Sequence, residues 1–170
     1  MNTLFLGIRV VHVALGATWL GMAVLITYFL LPAVQEVGPD GGKVVIALMR
    51  RGLAVFIPSI AGLTVLSGFY LYWRFTGGFD PVLSGSMGAR VFGTGGVLGL
   101  IAAIIASSVV SKNMKKAVAL MQQLGAADAA TRASLTERAM AHRTKAAAGA
   151  RTVAILLIVT IVLMALGHYV

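Results

Sequence analysis

With 170 residues, 59% of them hydrophobic and 11% charged, the chain has too few polar groups for a water-facing domain, in which about a quarter of residues are charged. The absence of cysteine excludes disulfides, thiolate zinc sites, iron–sulfur ligation and covalent c-type haem attachment. The net charge of +9 comes without the aromatic–basic interleaving of a nucleic-acid reader, so it excludes nucleic acid as a partner and suits basic loops beside a bilayer.

The apolar residues fall in long runs, which predicts an all-α, polytopic membrane protein of four transmembrane helices in an up-down bundle. The first span covers 4–31 and ends at Pro32 and the turn cluster Gly38-Pro39-Asp40-Gly41-Gly42. Its apolar run is too long for a signal-peptide core of roughly 7–15 residues, so it reads as a retained helix. The second span covers 51–74 and carries Pro58, where a kink is expected. A loop with Gly77, Gly78, Asp80, Pro81 and Gly85 leads to the third span, 87–110, with a small residue at Gly95, Gly99, Ala103 and Ser107. Such a stripe permits close packing, either inside the bundle or against another subunit. The fourth span covers 150–168.

Residues 111–150 between the last two spans are rich in good helix formers and predict a helical hairpin outside the membrane. Gly125 and Asp128 mark its turn, and Ser134 with Glu137 fits a capping box. The hairpin is either a solvated extension or a docking surface. Eleven Lys and Arg lie in the 1–2 connection and the hairpin, against Arg9, Arg74 and Arg90 at the other end. That asymmetry places the hairpin in the cytoplasm, with both termini facing the periplasm or cell exterior.

No Asp or Glu lies in a predicted span, which argues against proton or cation coupling and against an acid-dependent catalytic triad. His12 stands alone in the first apolar run, where a histidine needs a partner. Gly16 and Trp19 follow on the same face, and Gly16 removes bulk beside the imidazole, where a flat ring system could lie. His12 is either a metal or haem ligand or a helix-packing residue. His168 ends the fourth span on the same side and is either a second iron ligand or an interfacial residue. Arg9, Arg74 and Arg90 share that end and suit either haem propionates or lipid headgroups. His142 reads as a solvated hairpin residue. Met22 and Met164 form no Met-x-x-Met cluster, so copper handling is weakly motivated.

His12, Trp19 and Gly21 form H-x6-W-x-G within Arg9-Val-Val-His-Val-Ala-Leu-Gly-Ala-Thr-Trp-Leu-Gly. This resembles the first helix of small four-helix bacterial membrane proteins that include the CopD copper-resistance family and HemJ-type protoporphyrinogen oxidases. The resemblance covers about thirteen residues, with Pro58 as a further likeness. It implies b-type haem on His12. HemJ-type proteins also have a lysine in the outer part of the third helix and a histidine soon after the first-helix Leu-Pro. Here the third span opens Gly88-Ala89-Arg90, and no histidine closely follows Leu31-Pro32.

The expectation is therefore a b-type haem membrane protein, an electron carrier or a haem-bearing subunit, exchanging electrons with quinol or a periplasmic carrier. His12 and His168 would ligate iron, and Arg9, Arg74 and Arg90 would hold propionates. The alternatives are a haem-free accessory subunit of a larger membrane complex and, third, porphyrin oxidation or copper handling, with other membrane subunits or a homo-oligomer as partners.

Overall fold

A computed structural model describes residues 3–170, leaving aside the side chain of Pro39. Its elements, in chain order, are α1 (Thr3–Leu25), a π-helical turn (Ile26–Leu30), α2 (Leu31–Glu36), a 3-10 turn (Gly38–Asp40) and α3 (Gly41–Arg50). Then come α4 (Leu53–Phe75), α5 (Pro81–Ser84), α6 (Met87–Ile105), a second π-helical turn (Ala106–Ser111), α7 (Lys112–Gln123), a 3-10 turn (Leu124–Ala126) and α8 (Ala129–Leu166). No strand occurs among the described residues. Four helical stretches are long and apolar enough to cross a membrane: Thr3–Glu36, Leu53–Phe75, Met87–Ala126 and Ala129–Leu166.

Several boundaries differ from the sequence reading. The first helix does not stop at Pro32. It runs on to Glu36, because a π-helical turn at Ile26–Leu30, with the Leu31 N–H bonded to the Ile26 carbonyl, precedes Pro32 and accommodates its missing N–H within one continuous helix. Residues 41–50, which lie between the first two predicted spans, form the amphipathic helix α3. A left-handed Gly52 (φ 90°) then separates it from α4. The hairpin turns at 124–128 as expected, but the cap of α8 is Asp128, not Ser134. The Asp128 carboxylate accepts from the Thr131 amide at 2.8 Å, and Ser134 lies inside the helix.

The packing register follows from close contacts. His12 meets Gly68 and Gly16 meets Thr64, so α1 and α4 run antiparallel. Gly88 meets the backbone at Gly167 and Val170, while Gly95 meets Leu163 and Met164, so α6 and α8 do the same. Gly95 and Gly99 thus pack inside the bundle against α8, whereas Ser107 is exposed. The core is one layer: Trp19, Ile60, Ala61, Ala102, Val153 and Leu157. At ~1.5 Å per residue, Arg9 lies about 15 Å from this layer toward one end, and Arg51 and Lys112 about 15 Å toward the other. Half of a ~30 Å hydrocarbon slab is the same distance, so on α1, α4 and α6 the Trp19 layer falls midway along the apolar span. Outside that layer, large apolar side chains such as Phe29, Val55, Leu66 and Val97 are exposed. In lipid that is the expected outer surface of a bundle.

Candidate functional site

His12 lies about 10 Å from the Trp19 layer toward the Arg9 end, well inside the apolar slab. Its ring is half-buried against α4. Nδ1 is 3.0 Å from the Thr64 carbonyl oxygen and 3.2 Å from the Ser67 hydroxyl oxygen. A carbonyl oxygen only accepts, so the proton sits on Nδ1, which donates to it. The Ser67 hydroxyl spends its own proton on the Leu63 carbonyl oxygen at 2.7 Å. Nε2 is therefore the unprotonated nitrogen, and it takes no hydrogen bond from the described residues.

The approach depends on Gly68. A Cβ there would stand 2.7 Å from His12 Cε1, so glycine lets the Cε1 edge of the ring approach the α4 backbone this closely. Thr64, Ser67 and Gly68 are thus the residues that orient His12, and the sequence reading passed over them. Their signal was present, as two hydroxyls and a glycine within about one turn of an otherwise apolar span.

Gly16 and Trp19 are placed differently from expectation. The Thr64 methyl stands 3.6 Å from where a Gly16 Cβ would be, so this space is partly filled by α4. Trp19 is 2% exposed and belongs to the core layer. Neither presents an open slot for a flat ring.

His168 is exposed at the end of α8. Its Nε2 accepts from the Arg9 guanidinium at 2.5 Å, which puts its proton on Nδ1. Its ring packs edge-on to Phe92 at 5.1 Å, and Phe92 packs edge-on to Phe75 at 5.2 Å. The structure thus joins His168 to Arg9 through the nitrogen that iron ligation at Nε2 requires. Arg74 and Arg90 are exposed, and neither forms an ion pair among the described residues.

His142 is not simply solvated. It is half-buried, and its Nδ1 lies 2.7 Å from Asn113 Oδ1, linking α8 to α7. Asn113 Nδ2 donates to the Val109 carbonyl at 2.8 Å, which fixes the amide with its oxygen toward His142.

A shallow apolar groove of about 580 Å³, open on one side, runs between α1 and α4, lined by Gly7, Val11, Leu15, Leu66, Ser67 and Tyr70 among others, and His12 is not part of its lining. Among the described residues, no three His, Cys, Asp or Glu gather as a metal site. What the arrangement offers chemically is one imidazole nitrogen, unprotonated, backed by a carbonyl oxygen and set in an apolar slab. No family model matches this chain, and neither a curated protein nor a solved structure matches it.

Proposed function

We propose that the chain is a redox protein of the bacterial inner membrane that binds a b-type haem through His12. In this reading it is an up-down four-helix bundle with both termini periplasmic and the α7–α8 hairpin cytoplasmic. The observation that carries it is the His12 tautomer. A metal-bound histidine typically donates its second ring N–H to a carbonyl or carboxylate, which fixes the ring and leaves the other lone pair for the metal. His12 has that arrangement through Thr64.

Of this chain's residues, His12 would hold the haem iron. His168 has Arg9 as its partner and is not assigned to the iron. Arg74 and Arg90, cations at the Arg9 end without an acidic partner, suit the propionates. Haem supplies one-electron chemistry when bound. The protein's part is to hold the imidazole, to keep water away with apolar α1 and α4 side chains, and so to set the potential. Quinol or a periplasmic carrier is the class of electron partner this depth serves.

The test is an absorption spectrum of gently solubilised protein, oxidised and then dithionite-reduced, from cells supplied with haem. A Soret band with sharp reduced α and β bands supports the reading. A His12→Ala protein that keeps its full haem complement and spectrum sinks it.

A second reading, a haem-free accessory subunit, is favoured by one observation. Gly21, Gly62 and Gly96 meet no side chain within 4 Å in this chain, although glycine costs about 1 kcal/mol in a helix relative to alanine. Bare helix faces of this kind admit a neighbouring helix closely in lipid. A colourless protein that co-purifies in a larger complex after gentle extraction would favour it, whereas a colourless monomer speaks against both readings.

A further inference from the structure

The cations at the hairpin end exceed any role in the fold. Of the four acids at this end, Asp40 is taken by Lys43 at 2.6 Å and Asp128 is turned to the Thr131 amide. That leaves Glu36 and Glu137 against ten other Lys and Arg. Lys43–Asp40 is the one ion pair among the described residues.

The excess is not spread evenly. Arg50 and Arg51 end α3, Lys112, Lys115 and Lys116 open α7, and Arg151 stands on α8 where its apolar stretch begins. All six are exposed. Measured from the Trp19 layer, Arg51 and Lys112 reach about 15 Å, the edge of the hydrocarbon slab, and Lys115 and Lys116 reach about 20 Å, within the headgroup layer. α3 is held at this level because Gly41 and Gly42 let it close onto Val34 and Met121, and Val45 and Ile46 line its seam with α7. Arg50, Arg51, Lys112, Lys115 and Lys116 therefore gather at the depth of lipid phosphates from two connections of the bundle, whereas Arg151, two to six residues from Val153 and Leu157, lies only about 3–9 Å from the layer.

We propose that this collar of Arg50, Arg51, Lys112, Lys115 and Lys116 binds anionic phospholipid headgroups of the phosphatidylglycerol or cardiolipin class. The partner follows from charge and depth together. A phosphodiester with no compensating amine meets several cations at once, and arginine holds phosphate oxygens through paired N–H donors. A zwitterionic lipid brings its own cation and gains little. Each basic side chain near an anionic surface strengthens partition by roughly fivefold. The proposal is independent of haem.

The experiment uses the full-length protein in nanodiscs of equal parts phosphatidylcholine and phosphatidylglycerol, with retained lipid counted by native mass spectrometry. Wild type is expected to retain phosphatidylglycerol preferentially, and the preference should fall as salt rises. Removing collar charges (Arg50→Gln with Arg51→Gln, or Lys112→Gln with Lys115→Gln and Lys116→Gln) should lower the preference by roughly fivefold or more. The distal pair Arg132→Gln with Arg138→Gln should keep it. Should a multiple variant fail to fold, Arg51→Gln and Lys115→Gln alone must each show a partial loss. An unchanged preference in the collar variants overturns the proposal, as does an equal loss in the distal variant. Loss of the preference on adding inorganic phosphate, but not chloride of equal ionic strength, also overturns it, because the ligand is then a free anion.

Discussion

Arg9, near the start of α1, donates to Nε2 of His168, just beyond the end of α8, joining residues 159 apart in sequence. The bond closes the bundle at that end, and it engages the ring nitrogen that an iron would need. His168→Ala should therefore lower stability by about 1 kcal/mol, the worth of one such hydrogen bond, and on the proposed haem reading should leave haem content and spectrum unchanged. Thermal unfolding and the pyridine haemochrome of the same preparation check both halves. Loss of haem in this variant would return His168 to the iron.

Gly68 is the tightest control on the His12 ring. Gly68→Ala places a methyl 2.7 Å from Cε1 and must push the imidazole off α4, at a cost of roughly 1–3 kcal/mol. On the proposed haem reading the expected result is a shifted or weakened Soret band. Ser67→Ala should behave differently, since the Thr64 carbonyl still accepts from Nδ1. A Gly68→Ala protein with wild-type stability and spectrum would contradict this geometry.

Gly41 and Gly42 are adjacent, yet substitutions there should have unequal effects. A Cβ at Gly41 collides with the backbone of Val34, which cannot move without shifting α2. A Cβ at Gly42 meets only the end of the Met121 side chain, which can rotate away. Gly41→Ala is expected to destabilise by roughly 1–3 kcal/mol and Gly42→Ala by less than about 1 kcal/mol. Thermal melts of the two variants side by side decide it, and equal losses would count against the packing of α3.

The first turn of α8 should loosen with acid. The Thr131 amide that caps onto Asp128 holds its carboxyl below the ordinary carboxylate value. A depressed folded value means the stabilisation is fully present above the unfolded value and is lost as pH falls through the folded one. Amide exchange at Thr131 should therefore stay slow at neutral pH and become fast, relative to the rest of α8, in the acid range. Asp128→Asn should remove most of that pH dependence, because its amide oxygen still caps but does not titrate in this range.

Much was legible in the sequence by itself. Four apolar runs, fourteen cations divided unequally between the two ends, and a single histidine inside an apolar span are properties of local composition. They determined the all-helical class, the four candidate spans and the choice of His12. The hairpin turn at Gly125 and Asp128 was readable for the same reason. Some local features misled: Pro32 reads as a stop until the π-helical turn before it restarts the helix count, and Ser134-x-x-Glu137 reads as a cap until Asp128 takes that place.

Tertiary structure alone decided the chemistry of each histidine. Which ring nitrogen of His12 stays free depends on a carbonyl 52 residues away. Whether His168 faces a metal or a guanidinium depends on how α1 meets α8, and His142 gains Asn113 only when α7 folds back on α8. The physical reason is one of range. Partition into a bilayer is a sum over neighbouring residues and can be read along the chain. A tautomer is set by a single donor–acceptor contact at about 3 Å, and such contacts exist only after distant helices have packed.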